Sequence, residues 1–168
     1  MEKYKGIIFT FIGIIFIVGL IWFLQTSSKG NVGGNNSGTI YTKGTLSADE
    51  SSFNFGNVSM AAGKVSHNFK VKNTGAEPVS ITKVYTSCMC TQANLMGSGV
   101  KLGPFGMEGM GYIPTINEVL QPGEEEEVQA VFDPAAHGPA GLGHIERAIS
   151  VETSGKILEL SFQADVTP

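Results

Sequence analysis

The sequence predicts an all-β domain, an antiparallel sandwich, held behind one transmembrane helix and a flexible linker. Three observations carry this. An uncharged apolar run, GIIFTFIGIIFIVGLIWFL, occupies 6–24. A Gly/Ser/Asn-rich stretch follows at 25–44. From 45 to 168 apolar residues recur with a period of two, turn signals separate the runs, and no segment carries a helical stripe.

The first 24 residues read as a membrane anchor. Nineteen helical residues span about 28 Å, close to the hydrocarbon thickness of a bilayer. Trp22 falls at the far end, where an interfacial aromatic belongs, and Lys3 and Lys5 before the run favour a cytoplasmic N-terminus. The remainder of the chain then lies outside the cytoplasm. The alternative is secretion after cleavage of a signal peptide. Such peptides have shorter apolar cores and a small-x-small cleavage site, which FLQTSSKG matches poorly. The linker 25–44 lacks the apolar surface to order itself, and a coil of that length reaches roughly 25 Å.

In the domain 45–168, KVSHNFKVKNTG puts Val65, His67, Phe69 and Val71 on one face and ends in a turn. Phe53 and Phe55 share a face in SSFNFGNVSM. In EPVSITKVYTSC, Val79 and Ile81 alternate and Val84 breaks phase, which predicts a bulge. Pro122-Gly123 suits a type II turn, Val128, Ala130 and Phe132 alternate after it, and Asp133-Pro134 stops the run. In GHIERAISVETSG the face of Ile145, Ile149 and Val151 is inward, which places Arg147, on the same face, near the strand end. KILELSFQADV directs Leu158, Leu160, Phe162, Ala164 and Val166 inward. Half-buried strands of this kind need two sheets packed face to face. The segment 94–118, rich in Gly and Met, shows no period and is expected to be an irregular insertion.

Several separated motifs occur in a fixed order. They are Phe53, Phe55 and Gly56; His67, Phe69, Asn73, Thr74 and Gly75; Pro78 and Ile81; Ser87, Cys88, Cys90 and Thr91; then Pro122, Gly123, Glu124 and Phe132. In this the chain resembles the bacterial family called domain of unknown function fifteen seventy-three. The resemblance implies an immunoglobulin-like sandwich related to Hydin-type (ASH/MSP-like) domains, exported, and used as a binding module in larger assemblies. Met89 stands where that family usually has glycine. The segment 94–118 is longer than its usual connection, and DPAAHGPAGLGHIE is an elaborated loop.

The candidate chemistry centres on Cys88 and Cys90, the two cysteines of the chain. On an extended strand both thiols share one face and Met89 takes the other. A disulfide across one residue needs a bent backbone and is readily reduced. Two thiolates on one face suit a soft ion such as Cu(I), or half of a zinc site. The plain alternative is two small buried apolar side chains. Met89, Met96, Met107 and Met110 are candidate thioether ligands, and His67, His137 and His144 candidate imidazole ligands. Core or loop packing is the competing role for each. EEEE at 124–127 lacks the spaced ligands of a calcium loop and reads as a solvated strand start.

A net charge of −4 without a basic cluster argues against nucleic-acid binding. No elbow, zinc-protease, phosphate-loop or dinucleotide motif is present, so hydrolase, kinase and dehydrogenase chemistry is not expected. The function expected is a binding or structural module displayed outside the cell membrane. Its partners are the membrane, through the helix, and a protein of the envelope, with no cofactor. The alternative is a thiol-redox or copper/zinc protein working through Cys88-Met89-Cys90. Asn35 and Asn57 begin N-x-S sequons, which matter in a glycosylating host.

Overall fold

The computed structural model describes residues 44–97 and 99–168. The anticipated anchor helix and nearly all of the linker lie outside the described residues. Among the described residues no helix is long and apolar enough to cross a membrane.

Among the described residues ten strands form two five-stranded sheets. The first sheet runs β1 (Leu46–Ala48), β3 (Val65–Asn73), β8 (Glu125–Phe132), β5 (Thr91–Gly97), β6 (Val100–Phe105). The second runs β2 (Ser52–Ser59), β10 (Lys156–Thr167), β9 (Gly143–Thr153), β4 (Val79–Thr86), β7 (Glu118–Leu120). The alternating faces anticipated for β3, β8, β9 and β10 meet between the sheets. Phe69, Val71, Val128, Ala130, Ile149, Val151, Leu160 and Phe162 are all buried. Side chains at every second position point to one face, so each such strand can supply half of a core layer.

The bulge anticipated beside Val84 is present, as a register shift between Ile81 and Lys83 where β4 pairs with β9. The turn at Pro122-Gly123 also forms: Gly123 has φ +82°, and the Glu124 N–H donates to the Gln121 carbonyl at 2.9 Å. Positive φ at that turn position is what makes glycine the fitting residue.

Four expectations need correction. The sheets are not wholly antiparallel, because β2 pairs parallel with β10, from Ser52↔Ser161 to Ser59↔Thr167. The first and last strands of the second sheet therefore lie side by side, and β10 gains a partner on its outer edge. Next, the segment 94–118 is not uniformly irregular. β5 runs on to Gly97 and turns back as β6, against which it pairs antiparallel. A bulge between Ala93 and Leu95 shifts the phase there and hides the period. The remaining loop, 106–117, is tied down through the Thr86 N–H on the Gly106 carbonyl at 2.9 Å and the Ile116 N–H on the Thr82 carbonyl at 2.9 Å.

Glu126 is the third. It is only 5% exposed, because the alternation of Val128, Ala130 and Phe132 carries it inward too. Its side chain packs where a Cβ on Gly97 would sit, so glycine makes the room. Arg147 is the fourth. It lies mid-strand in β9, with Ile145 buried beyond it, and it is tolerated there because a thiol faces it.

Candidate metal centre

The cysteine segment is a turn, not the extended strand considered above. β4 ends at Thr86 and β5 begins at Thr91, so Ser87–Cys90 carry the chain from the second sheet to the first. Three sets of bonds shape this crossing. The Thr91 N–H donates to the Cys88 carbonyl at 3.0 Å, closing a four-residue turn. The buried Thr86 hydroxyl lies 3.1 Å from the Cys88 carbonyl and 3.0 Å from that of Thr91. Ser87 fastens the turn to β9: its N–H donates to the Ala148 carbonyl at 3.0 Å, and its Oγ accepts from the Ala148 N–H at 2.8 Å.

The bend brings both thiols toward one point. The Cys90 N–H donates to Cys88 Sγ at 3.4 Å. Both cysteines are free thiols; Cys90 is 2% exposed and Cys88 half-buried. His137 reaches the same point from the loop between β8 and β9, its Nε2 lying 3.1 Å from Cys88 Sγ. That loop is positioned by the Asp133 N–H on the Cys90 carbonyl at 2.9 Å and by Asp133 Oδ1 accepting from the Ala135 N–H at 3.0 Å. The two thiol sulfurs and one imidazole nitrogen lie within 4.8 Å of one another. Around a single ion with metal–sulfur bonds of about 2.3 Å and metal–nitrogen bonds of about 2.0 Å, such atoms would stand about 4 Å apart. The donor set therefore fits a soft or borderline ion without rearrangement of the fold.

Arg147 completes the surroundings. Its Nε donates to Cys90 Sγ at 3.3 Å and its Nη1 to the Glu146 carbonyl at 2.7 Å. An open groove of about 380 Å³ lies between His137 and Arg147, also bordered by His144 and Glu146. The two thiols are unequal. Burial opposes ionisation of Cys88 and is the largest single influence. The hydrogen bonds from the Cys90 thiol, His137 and the Cys90 N–H, with the charge of Arg147, together outweigh it and bring the pKa down to about 7. Burial pushes the Cys90 thiol up, and its bond to Cys88 adds to this against the help of Arg147.

Of the ligands anticipated from sequence, Cys88, Cys90 and His137 come together. His67 is engaged elsewhere: it stacks on Phe53 with ring centroids 3.6 Å apart and bonds to the Glu50 carboxylate. His144 pairs with Asp165 at 3.0 Å. Met89 and Met110 are turned to solvent, 53% and 63% exposed. Met107 is half-buried, with its backbone bridged to Thr86, and Met96 lies at the end of β5 against Glu127 of β8. Arg147 is the participant not anticipated as a site residue. The signal was a lone charge on the inward face of β9.

Residues 46–106 match the family described as Protein of unknown function (DUF1573). The resemblance drawn from the motifs therefore holds over this stretch, which takes in β1 to β6 and both cysteines. The fold is that of an immunoglobulin-like sandwich. A protein of unknown function from Porphyromonas gingivalis W83 superposes with a TM-score of 0.52 at 14% identity, over 73% of this chain and 46% of that one. This chain thus spans less than half of that relative. Weaker likenesses include the ASH/PapD-like domain 7 of human CEP192, with TM-score 0.44 and 14% identity over 83% of this chain and 96% of that one. The CooA pilin subunit of enterotoxigenic Escherichia coli gives 0.45 and 13% over 75% and 99%. No curated protein matches the chain.

Proposed function

We propose that this protein is a membrane-anchored, externally displayed immunoglobulin-like module of the cell envelope, and that its working site is a copper or zinc centre formed by Cys88, Cys90 and His137. The observation that carries the metal reading is the convergence of three ligand atoms, from two separate segments, within 4.8 Å. Thiolate and imidazole are the donors that soft and borderline ions favour. The sandwich supplies rigid support, and the site sits on its loops, as binding sites on such scaffolds do. The anchor reading rests on the apolar run 6–24 and the lysines before it.

The test is anaerobic reconstitution of the full-length chain with Cu(I) or Zn(II), followed by removal of loose ion and measurement of bound metal. One ion per chain, lost in the Cys88→Ser/Cys90→Ser double variant, is the expected result. Retention of no ion by the wild type sinks the reading. Display outside the membrane is checked separately, by labelling Cys88 in intact cells with a membrane-impermeant maleimide. A mature N-terminus at Thr26 or beyond would mean cleavage in place of anchoring.

A second reading, thiol–disulfide exchange, is favoured by the unequal pair, with Cys88 readily ionised and more accessible than Cys90. It predicts that mild oxidation joins the two sulfurs with loss of two hydrogens, reversibly under a dithiol reductant.

A further inference from the structure

We infer that the reduced chain, without an ion, reduces an accessible disulfide on a peptide or small molecule, with Cys88 as the attacking thiol and Cys90 as the resolving thiol. This rests on the thiol-exchange reading above. Access separates the two roles. Cys90 is 2% exposed, and its sulfur is flanked by Arg147 Nε at 3.3 Å and Thr91 Oγ1 at 3.7 Å. A sulfur enclosed in this way is closed to an incoming disulfide. Cys88 is half-buried, beside a Met89 that is turned to solvent. Proximity then fixes the resolving group. The two are the only cysteines of the chain, and their sulfurs lie within 4.8 Å of each other. The turn over Ser87–Cys90 supplies the bend that a bond across one residue requires.

The exchange has two steps. In the first, the Cys88 proton passes to His137 Nε2, 3.1 Å away, and Cys88 Sγ bonds to one sulfur of the substrate as the substrate's S–S bond breaks. The other substrate sulfur leaves as a thiolate and takes the proton back from the imidazole. In the second, Cys90 Sγ bonds to Cys88 Sγ. The remaining substrate sulfur departs with the Cys90 proton as a thiol. Arg147, donating to Cys90 Sγ at 3.3 Å and braced on the Glu146 carbonyl at 2.7 Å, faces the negative charge that this sulfur carries as it attacks. In sum the two thiols of the chain lose two electrons and two protons, and the substrate disulfide becomes two thiols.

The experiment mixes the full-length chain, reduced and stripped of metal by a chelator, with oxidised glutathione or with a short peptide closed by one disulfide. Acid-quenched samples are mapped by mass. In Cys90→Ser the adduct is expected on Cys88 and to persist; in Cys88→Ser the adduct on Cys90 should form at least about tenfold more slowly, because access governs the rate. Wild type should pass through a transient Cys88 adduct and end with the two cysteines joined. The two probes separate the sources: reaction with either one supports the assignment, and the faster one names the substrate class. Equal or faster labelling of Cys90 overturns it. So does a wild type that forms the internal disulfide while Cys90→Ser collects no adduct, and in that case the thiol-exchange reading stands. A wild type that neither probe oxidises or labels removes that reading, and this inference with it. Cys90→Ala replaces the Ser variant if the melting temperature shows that one unfolded, and the wild-type time course needs no variant.

Discussion

Two side chains owe their properties to being carried inward by the strands or turns that hold them. Cys88 is accessible, and its neighbours hold its pKa at about 7. Its alkylation rate in the reduced, metal-free chain should therefore rise with pH to a half-maximum near 7. Cys90 should react only at higher pH or after unfolding. Quenched-flow alkylation with mass detection separates the two, and equal rates for both thiols would contradict the geometry. Glu126 is the other case. Burial, with the charges of Glu118 and Glu124 and a hydrogen bond to Glu118, raises its carboxyl from 4.5 to about 7. The folded state then binds a proton that the unfolded state has released. Stability from this group is complete below about pH 4.5 and is lost as pH rises to about 7, a change of up to about 3 kcal/mol. Glu126→Gln should flatten that part of the pH–stability curve and raise stability at pH 8, as urea unfolding at several pH values would measure.

Between elements, Asn73 at the end of β3 is the main junction. Its side-chain N–H groups donate to the Glu77 carbonyl at 2.9 Å and to the Leu120 carbonyl at 3.0 Å, and its Oδ1 accepts from the Gly75 N–H at 3.0 Å. One fully buried side chain thus links β3 of the first sheet to the approach of β4 and to β7 of the second. Asn73→Ala leaves two carbonyls and an N–H without partners. The expected loss is about 2–4 kcal/mol, because each buried polar group left unsatisfied costs on the order of 1–3. Gly75 is confined by the same corner. A Cβ there would stand 2.7 Å from the Thr45 backbone nitrogen. The NTG signal was legible as a turn, but that its asparagine ties two sheets together was not, since its partners lie 4 and 47 residues away.

At the scale of the molecule, the core is closed by aromatic contacts between the sheets. Phe162 on β10 meets Phe55 edge-on at 5.3 Å and Phe132 of the opposite sheet at 5.4 Å. Phe162→Ala should cost about 3–5 kcal/mol in equilibrium denaturation, since it leaves a cavity between rigid layers. The same packing holds the candidate centre in place. β4, β5, β8 and β9 all reach the cysteine crossing, so four strands and two sheets fix the positions of three candidate ligands and one arginine. A change in the core that loosened the sheets would loosen the ligand set with them.

The alternation of apolar residues by itself determined β2, β3, β4, β8, β9 and β10, their inward faces and the two-sheet architecture, because a half-buried strand has a period of two wherever it lies. It also marked the bulge in β4 and the turn at Pro122-Gly123, which depend on neighbouring residues alone. The tertiary structure decided the rest. The parallel pairing of β2 with β10 depends on partners more than a hundred residues apart, and the hairpin of β5 and β6 is hidden by its own bulge. Cys88 and Cys90 stood out as a pair, yet the side chains that join them, His137, 49 residues from Cys88, and Arg147, 57 residues from Cys90, come from distant segments. Ligand convergence is a property of where loops cross in space, and local pattern carries no information about that distance.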